Sequence, residues 1–174
     1  ICIVKNNFFF LIFFVLIGCS TQTPITEKIS CPNVLISEEH DKFIFIEEDL
    51  QDNNIEYIAE INNFGFESDC YILDNIGNFE LELLFVIQPV NTKETNIFLP
   101  YYVATINQSN ELVDMQYYKA DGNFKSVDES NFLIETEIRT KINYKLSYQD
   151  KIQDKIYTLI IGFMLSKDQL KILN

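Results

Sequence analysis

The chain contains few of the residues on which many functional sites depend. Its 174 residues include no tryptophan, one histidine, five glycines and four prolines, and 13 basic residues face 26 acidic ones. So little glycine and proline excludes a disordered or fibrous protein, and five scattered glycines cannot form a Gly-rich phosphate loop. The formal charge of −13 opposes a phosphate backbone, so we expect no nucleic-acid partner.

The scarcity of histidine also limits catalysis and metal binding. His40 is the only histidine and lies in the polar run 38–41, which we interpret as a solvated loop. One histidine excludes the His-Glu-x-x-His motif, and no Gly-x-Ser-x-Gly elbow is present. The acid-rich stretches at 47–52 and 128–129 lack the Asp-x-Asp-x-Asp-Gly pattern of calcium loops. We therefore expect no catalytic residues, no metal ligands, no cofactor and no enzymatic activity.

One long apolar run lies near the amino terminus. Residues 8–17 are ten consecutive apolar residues, and Lys5 precedes them. A helix of that length is about 15 Å long, about half the hydrocarbon thickness of a bilayer. The run therefore predicts the hydrophobic region of a signal peptide, a helix within residues 1–18, and no membrane span.

The end of this run, Leu16-Ile17-Gly18-Cys19, resembles the lipobox of bacterial lipoproteins. The resemblance implies that a diacylglyceryl group alkylates the Cys19 thiol and that a peptidase cuts just before it. It places the mature protein in the cell envelope, facing the periplasm and held to a membrane by lipid. Ser20 stands where an aspartate retains enteric lipoproteins in the inner membrane, so we expect the outer membrane rather than the inner one.

Two cysteines remain available for pairing. Cys2 lies in the signal peptide and Cys19 carries lipid, which leaves Cys31 and Cys70. Because disulfides form and persist in the periplasm, we predict a bridge between these two residues. Two separate buried thiols are the alternative.

The segment after the signal predicts a tether. Residues 19–30 are polar after the lipidated cysteine and show no apolar periodicity, so we expect a flexible linker, with ordered structure from about Cys31. Removing residues 1–18 takes away Lys5 as their only charged residue. The mature chain then has 12 basic and 26 acidic residues, a formal charge of −14.

Alternating apolar residues from position 32 onward predict antiparallel strands. Apolar side chains from Phe79 to Ile87 fall on one face of such a strand, and polar ones fall on the other. Residues 55–61 follow the same period. A further strand is predicted to place Phe132, Ile134, Ile138 and Ile142 on one face. The other predicted strands are 34–37, 42–46, 67–73, 98–106, 112–120 and 155–165, and the predicted turns are 62–65, 74–77, 108–110 and 121–123.

These strands predict an all-β domain over residues 31–174. Eight or nine strands without intervening helices favour an immunoglobulin-like antiparallel β-sandwich, and a small closed β-barrel is the alternative. Residues 156–164 are apolar on both faces, which predicts a strand at the centre of a sheet. Ser166 and Gln169 have the spacing of a capping box, which predicts a short C-terminal helix.

The mature chain as a whole resembles a group of small alphaproteobacterial lipoproteins. The similar segments include residues 31–36, 100–104 and the ending from Tyr157. The group tends to read Gly-Phe-Gln-Leu near its end, whereas this chain has Met164 in place of the glutamine. No biochemical role is assigned to the group, so the resemblance supports fold and location and implies no activity.

Two functions remain open. The first is a lipid-anchored periplasmic accessory or interaction lipoprotein of the cell envelope, whose partners are the membrane, through Cys19, and an envelope protein. The alternative is a periplasmic lipoprotein that binds a small ligand or a cation through the acidic stretches or through an aromatic face. Core packing explains most of these rings equally well. The aromatic residues concerned are Phe98, Tyr101, Tyr102, Tyr117 and Tyr118.

Overall fold

The computed structural model describes residues 26–46, 55–92, 95–127, 132–147 and 157–173. The predicted signal peptide, the predicted lipobox with Cys19 and the acid-rich stretches at 47–52 and 128–129 lie outside these residues. The described part is all-β with one short helix. Its elements are β1 Thr26–Lys28, β2 Asn33–Ile36, β3 Lys42–Ile46, β4 Ile55–Phe66, β5 Tyr71–Leu73, β6 Ile76–Pro89, β7 Asn96–Ile106, β8 Leu112–Asn123, β9 Lys125–Val127, β10 Phe132–Ile134, β11 Thr136–Ser147, β12 Thr158–Phe163 and α1 Lys167–Leu173.

The larger sheet is built around β6. β11 pairs along one side of β6, and β4 and β5 pair one after the other along its other side. β3 pairs with β4, and β1 pairs with β5. The alternation predicted for residues 79–87 is confirmed, because every second side chain from Phe79 to Ile87 is buried in the core.

The smaller sheet has the strand order β2-β12-β7-β8. β7 and β8, predicted as strands 98–106 and 112–120, form a hairpin in which Tyr101 lies opposite Tyr118. β12 lies between β2 and β7, as its apolar sequence predicts. β2 pairs with β12 in parallel, which departs from the antiparallel expectation. These two strands are far apart in sequence, so no tight hairpin fixes their relative direction.

The two sheets pack face to face, which confirms the predicted β-sandwich. The Phe85 ring of the larger sheet lies 5.3 Å from Tyr101 and 5.6 Å from Phe163 of the smaller sheet, between centroids. Phe43, on β3, also contacts Phe163 at 5.6 Å. The described strands do not form a closed barrel, since no ladder joins the two main sheets.

The predicted disulfide between Cys31 and Cys70 is confirmed, with Cα atoms 5.1 Å apart. Cys31 lies just before β2 of the smaller sheet, and Cys70 lies just before β5 of the larger one, so the bond connects the two layers. Regular structure already appears at Thr26–Lys28, ahead of the expected start near Cys31. This strand, β1, pairs with β5, the strand that follows Cys70.

Two of the four predicted turns lie inside strands. Residues 62–65 belong to β4, where a bulge shifts the register between Ile61 and Asn63. Residues 121–123 belong to β8, which continues to pair with β7. Gly122 serves a close approach there, because a Cβ atom would come within 2.4 Å of Ile138 Cδ1. A glycine in a strand thus marks a bulge or a tight contact as readily as a turn.

The other two turns are confirmed. Asp74 and Asn75 have positive φ values of 51° and 63° and form a two-residue connection between β5 and β6. Asp and Asn tolerate this left-handed conformation, which matches the twist of the flanking strands. Asn110, at φ 60°, completes the predicted turn between β7 and β8.

The strands predicted at 132–142 and 67–73 need correction. The first is interrupted at Glu135, and its beginning, β10, pairs with β9 in a separate two-stranded sheet. Phe132 and Ile134 are consequently 71% and 37% exposed rather than buried with Ile138. The strand predicted at 67–73 is shortened to β5, because β4 pairs with this side of β6 as far as Phe66.

The predicted C-terminal helix is confirmed as α1. The Ser166 backbone N–H donates to Gln169 Oε1 at 2.7 Å, and the Gln169 N–H donates to Ser166 Oγ at 3.2 Å. This reciprocal capping satisfies N–H groups that the first helical turn leaves unpaired. Gln169 Nε2 also donates to the Ile44 carbonyl at 2.6 Å, which holds the helix against β3. No helix in the described residues is long and apolar enough to cross a membrane.

Candidate functional site

The outer faces of the two sheets differ in chemistry. The larger sheet presents charged residues: Glu82 of β6 lies opposite Lys141 of β11, and Arg139 Nη1 lies 3.4 Å from Glu82 Oε1. Such a face is typical of an antiparallel sheet with one side in water. The charged outer face of the larger sheet is therefore explained by contact with water.

The smaller sheet carries a continuous apolar row on its outer side. Leu35, Ile160, Ala104 and Met115 are register partners across all four strands. Their sequence neighbours on β7 and β12 are core residues, so the alternation of a strand places these four on the opposite face. Leu35 is 56% exposed, Ile160 and Met115 are half-buried, and Ala104 is buried between its neighbours with 4% exposure.

Three aromatic rings extend this row along β7 and β8. Tyr102 and Tyr117 are register partners, and Tyr117 is 63% exposed. Phe98, at 46% exposure, lies further along the same face. We call the surface made by these three rings and the four residues of the row the apolar face.

The five aromatic residues predicted as one possible binding surface are thus divided between two faces. Tyr101 and Tyr118 point inward and stack with their ring centroids 5.6 Å apart. Phe98, Tyr102 and Tyr117 point outward. The interpretation as core is therefore right for two of the rings, and the interpretation as a surface fits the other three.

His40 lies in the loop after β2, as expected, but it is half-buried rather than fully solvated. Its Nδ1 lies 3.0 Å from the Tyr102 hydroxyl oxygen, and the two rings meet edge to face. Both rest on Gly162, where a Cβ atom would come within 2.6 Å of the Tyr102 hydroxyl oxygen and 2.8 Å of His40 Cβ. The missing side chain at Gly162 makes the space that the pair fills. His40 therefore fixes the Tyr102 ring at one end of the apolar face.

A polar network lies beneath the apolar face, where β8 approaches β11. Tyr144 of β11 donates through its hydroxyl to Asp114 Oδ2 at 3.0 Å. Gln116 Nε2 donates to the same carboxylate oxygen at 2.7 Å and to the Lys145 carbonyl at 2.8 Å. Tyr118 completes the network by donating to Gln116 Oε1 at 2.7 Å. Side chains thus join the two sheets at this edge.

The tyrosines of this region are held in their neutral form. Burial, together with the nearby Asp114 carboxylate, raises the pKa of Tyr118 to about 12. Burial also raises the pKa of Tyr101 to about 12 and shifts the pKa of Tyr144 upward. A phenol with a raised pKa remains a hydrogen-bond donor at neutral pH and is a poor general base. The network therefore serves to orient β8, which carries Tyr117 on its other side.

A concave surface lies between the end of β6 and the paired strands β9 and β10. It encloses about 480 Å³, and its described lining residues are uncharged. They are Pro89, Val90, Thr92, Thr95, Ser126, Phe132 and Leu133. The described residues contain no group of three His, Cys, Asp or Glu side chains suited to a metal ion.

The sequence contained one signal of the apolar face. Residues 156–164 are apolar on both sides, which we interpret above as a strand at the centre of a sheet. β12 is central within its sheet, yet no further layer of the described residues covers the outer side of Ile160. An apolar residue on the outer side of a sandwich strand thus has a second explanation, an interaction surface.

Comparison of the chain with protein-family models, with curated proteins and with solved structures finds no significant match.

Proposed function

We propose that the protein is a lipid-anchored, periplasm-facing interaction lipoprotein of the cell envelope that binds a partner protein through the apolar face. The observation that carries this proposal is the apolar face, whose row spans all four strands of the smaller sheet and on which Leu35, Phe98 and Tyr117 are exposed. Exposed apolar patches bordered by polar residues are characteristic of protein interaction sites. Aromatic side chains and methionine are enriched at such interfaces.

The rigidity of the face supports the same proposal. Tyr102 is held by His40, and β8 is held by the network around Asp114. A partner that binds a preformed surface avoids much of the entropy cost of ordering loops and side chains. Large, rigid rings such as Tyr117 are the typical centres of binding energy.

Charge substitution on the apolar face is expected to release the partner. In the variant Leu35→Lys/Tyr117→Lys, binding would require burying two unpaired ammonium groups, which is strongly unfavourable. We expect affinity to fall by at least about 30-fold, the scale of a hot-spot residue. The measurement is the size of the complex that contains the full-length protein, extracted from membranes in mild detergent and separated by size-exclusion chromatography.

The matched control is Val86→Lys/Asn143→Lys on the outer face of the larger sheet. Val86 lies opposite Glu60 and Glu137, and Asn143 lies opposite Glu80, so both lysines meet carboxylates. This control should remain in the large complex, and both variants should keep the wild-type circular dichroism spectrum. Retention of the Leu35→Lys/Tyr117→Lys variant in the complex, or loss of the control from it, contradicts the proposed docking face.

Lipid anchoring is expected to depend on Cys19. The variant Cys19→Ser has no thiol for the thioether, so it should incorporate no labelled palmitate and should not be processed to the mature membrane form. The control Cys2→Ser changes the single cysteine within residues 1–18 and should be labelled and processed as in the wild type. Labelling of Cys19→Ser equal to that of the wild type would show that this residue is not the acceptor.

A further inference from the structure

The apolar face is bordered mainly by acidic groups. Glu38 and Glu39 are exposed in the turn that follows β2 and directly precede His40, which rests on the face. Glu111 is exposed directly before Leu112, at the start of β8. The charge of the mature chain as a whole, −14, has the same sign.

The basic side chain of Lys119, which lies on this face, already has an acidic partner. Lys119 Nζ lies 3.3 Å from Asp121 Oδ2 and 5.9 Å from the centre of the Phe98 ring. Its charge is therefore balanced within the face. The border that remains available to a partner is negative.

We propose that the apolar face binds a segment of a partner protein in which apolar side chains are interspersed with arginine or lysine. This inference rests on the proposed function and specifies its partner. Basic side chains would meet the Glu38, Glu39 and Glu111 carboxylates, and an arginine can also stack on the exposed ring of Tyr117. Complementary charges at the border raise the association rate and reject partners of the wrong sign.

The same charges disfavour two other occupants. A second copy of the chain would bring identical acidic borders together across a symmetric interface. An anionic lipid surface would meet the same repulsion. A basic, apolar protein segment is the occupant that satisfies both the rings and the carboxylates.

A displayed library of random 16-residue peptides tests this inference with the full-length lipidated protein in detergent micelles. We expect the selected peptides to combine aromatic or aliphatic residues with a net positive charge. Their affinity should fall at least about tenfold between 0.05 M and 0.5 M salt, because salt screens exposed charges. The variant Glu38→Gln/Glu39→Gln should bind them several-fold more weakly, and Leu35→Ser/Tyr117→Ser should lose at least about 30-fold.

The outcomes separate this inference from the proposed function. Selected peptides that bind Leu35→Ser/Tyr117→Ser as tightly as the wild type contradict the docking face itself. Peptides that require the face but are neutral or acidic, or that bind Glu38→Gln/Glu39→Gln with unchanged affinity, overturn only the basic partner. Two further results also overturn it: a dimer in analytical ultracentrifugation that Leu35→Ser/Tyr117→Ser abolishes, and binding of the unlipidated Cys19→Ser chain to phosphatidylglycerol vesicles that the same two substitutions on the face abolish.

Discussion

Replacing Phe85 by alanine is expected to lower the free energy of unfolding by about 3–5 kcal/mol, the usual cost of truncating a fully buried phenylalanine. Phe85 is completely buried on β6 and contacts Tyr101 and Phe163 of the smaller sheet. Its removal leaves a cavity between the two layers in addition to the lost burial of the ring. A single-domain protein of this size has a total stability of about 5–15 kcal/mol, so the loss is a large fraction of it.

Urea unfolding followed by circular dichroism measures this effect. The control is Asn143→Ala, an exposed residue on the outer face of the larger sheet, which should change the free energy of unfolding by less than about 0.5 kcal/mol. A loss below about 1 kcal/mol for Phe85→Ala would mean that the two sheets are not packed on this ring.

Removing the disulfide is expected to cost about 4 kcal/mol, the value that the chain-entropy model gives for a loop of about 40 residues. Cys31 and Cys70 are separated by 39 positions and connect the two sheets. The double variant Cys31→Ala/Cys70→Ala leaves no hydroxyl or unpaired thiol at these sites. Its urea midpoint should fall, and the slope of the transition should rise, because the unfolded chain without the cross-link is less compact and exposes more surface.

Reduction of the wild-type protein provides the internal control. Dithiothreitol should lower the wild-type midpoint to nearly that of Cys31→Ala/Cys70→Ala and should leave the double variant unchanged. If reduction has no effect on the wild type, the bond does not contribute to its stability. A drop in the double variant on reduction would point to a different thiol chemistry.

The β-sandwich could be predicted because its strands report their environment through alternation. A strand with one buried face must repeat every second residue, so the pattern from Phe79 to Ile87 identifies β6 and its inner face. The turn at Asp74 and Asn75 could be predicted for a similarly local reason, since these residues tolerate positive φ. The disulfide followed from counting the cysteines left for pairing.

Features that depend on contacts distant in sequence could not be predicted in this way. Gly122 resembles a turn residue locally, and its role is set by Ile138 on another strand. His40 resembles a solvated residue, and its position is set by Gly162 and Tyr102. The apolar face depends on the register of four strands, which no local pattern specifies.

The division of the aromatic residues shows the same limit. Tyr101 and Tyr102 are neighbours in sequence and lie on opposite faces of β7. Alternation separates them, but it does not say which one faces the core. Only the packing of this strand against the larger sheet, through contacts such as that between Phe85 and Tyr101, decides which ring faces the core.

Site-specific photo-crosslinking in intact cells tests the docking face most directly. A benzophenone amino acid replaces Tyr117 on the apolar face of the full-length protein or, as the control, Asn143 on the charged outer face of the larger sheet. We predict discrete adducts with a protein partner from position 117 and none from position 143. Equal adducts at both positions, adducts at 143 alone, or none at either would contradict the proposal that this protein acts by binding a partner through the apolar face.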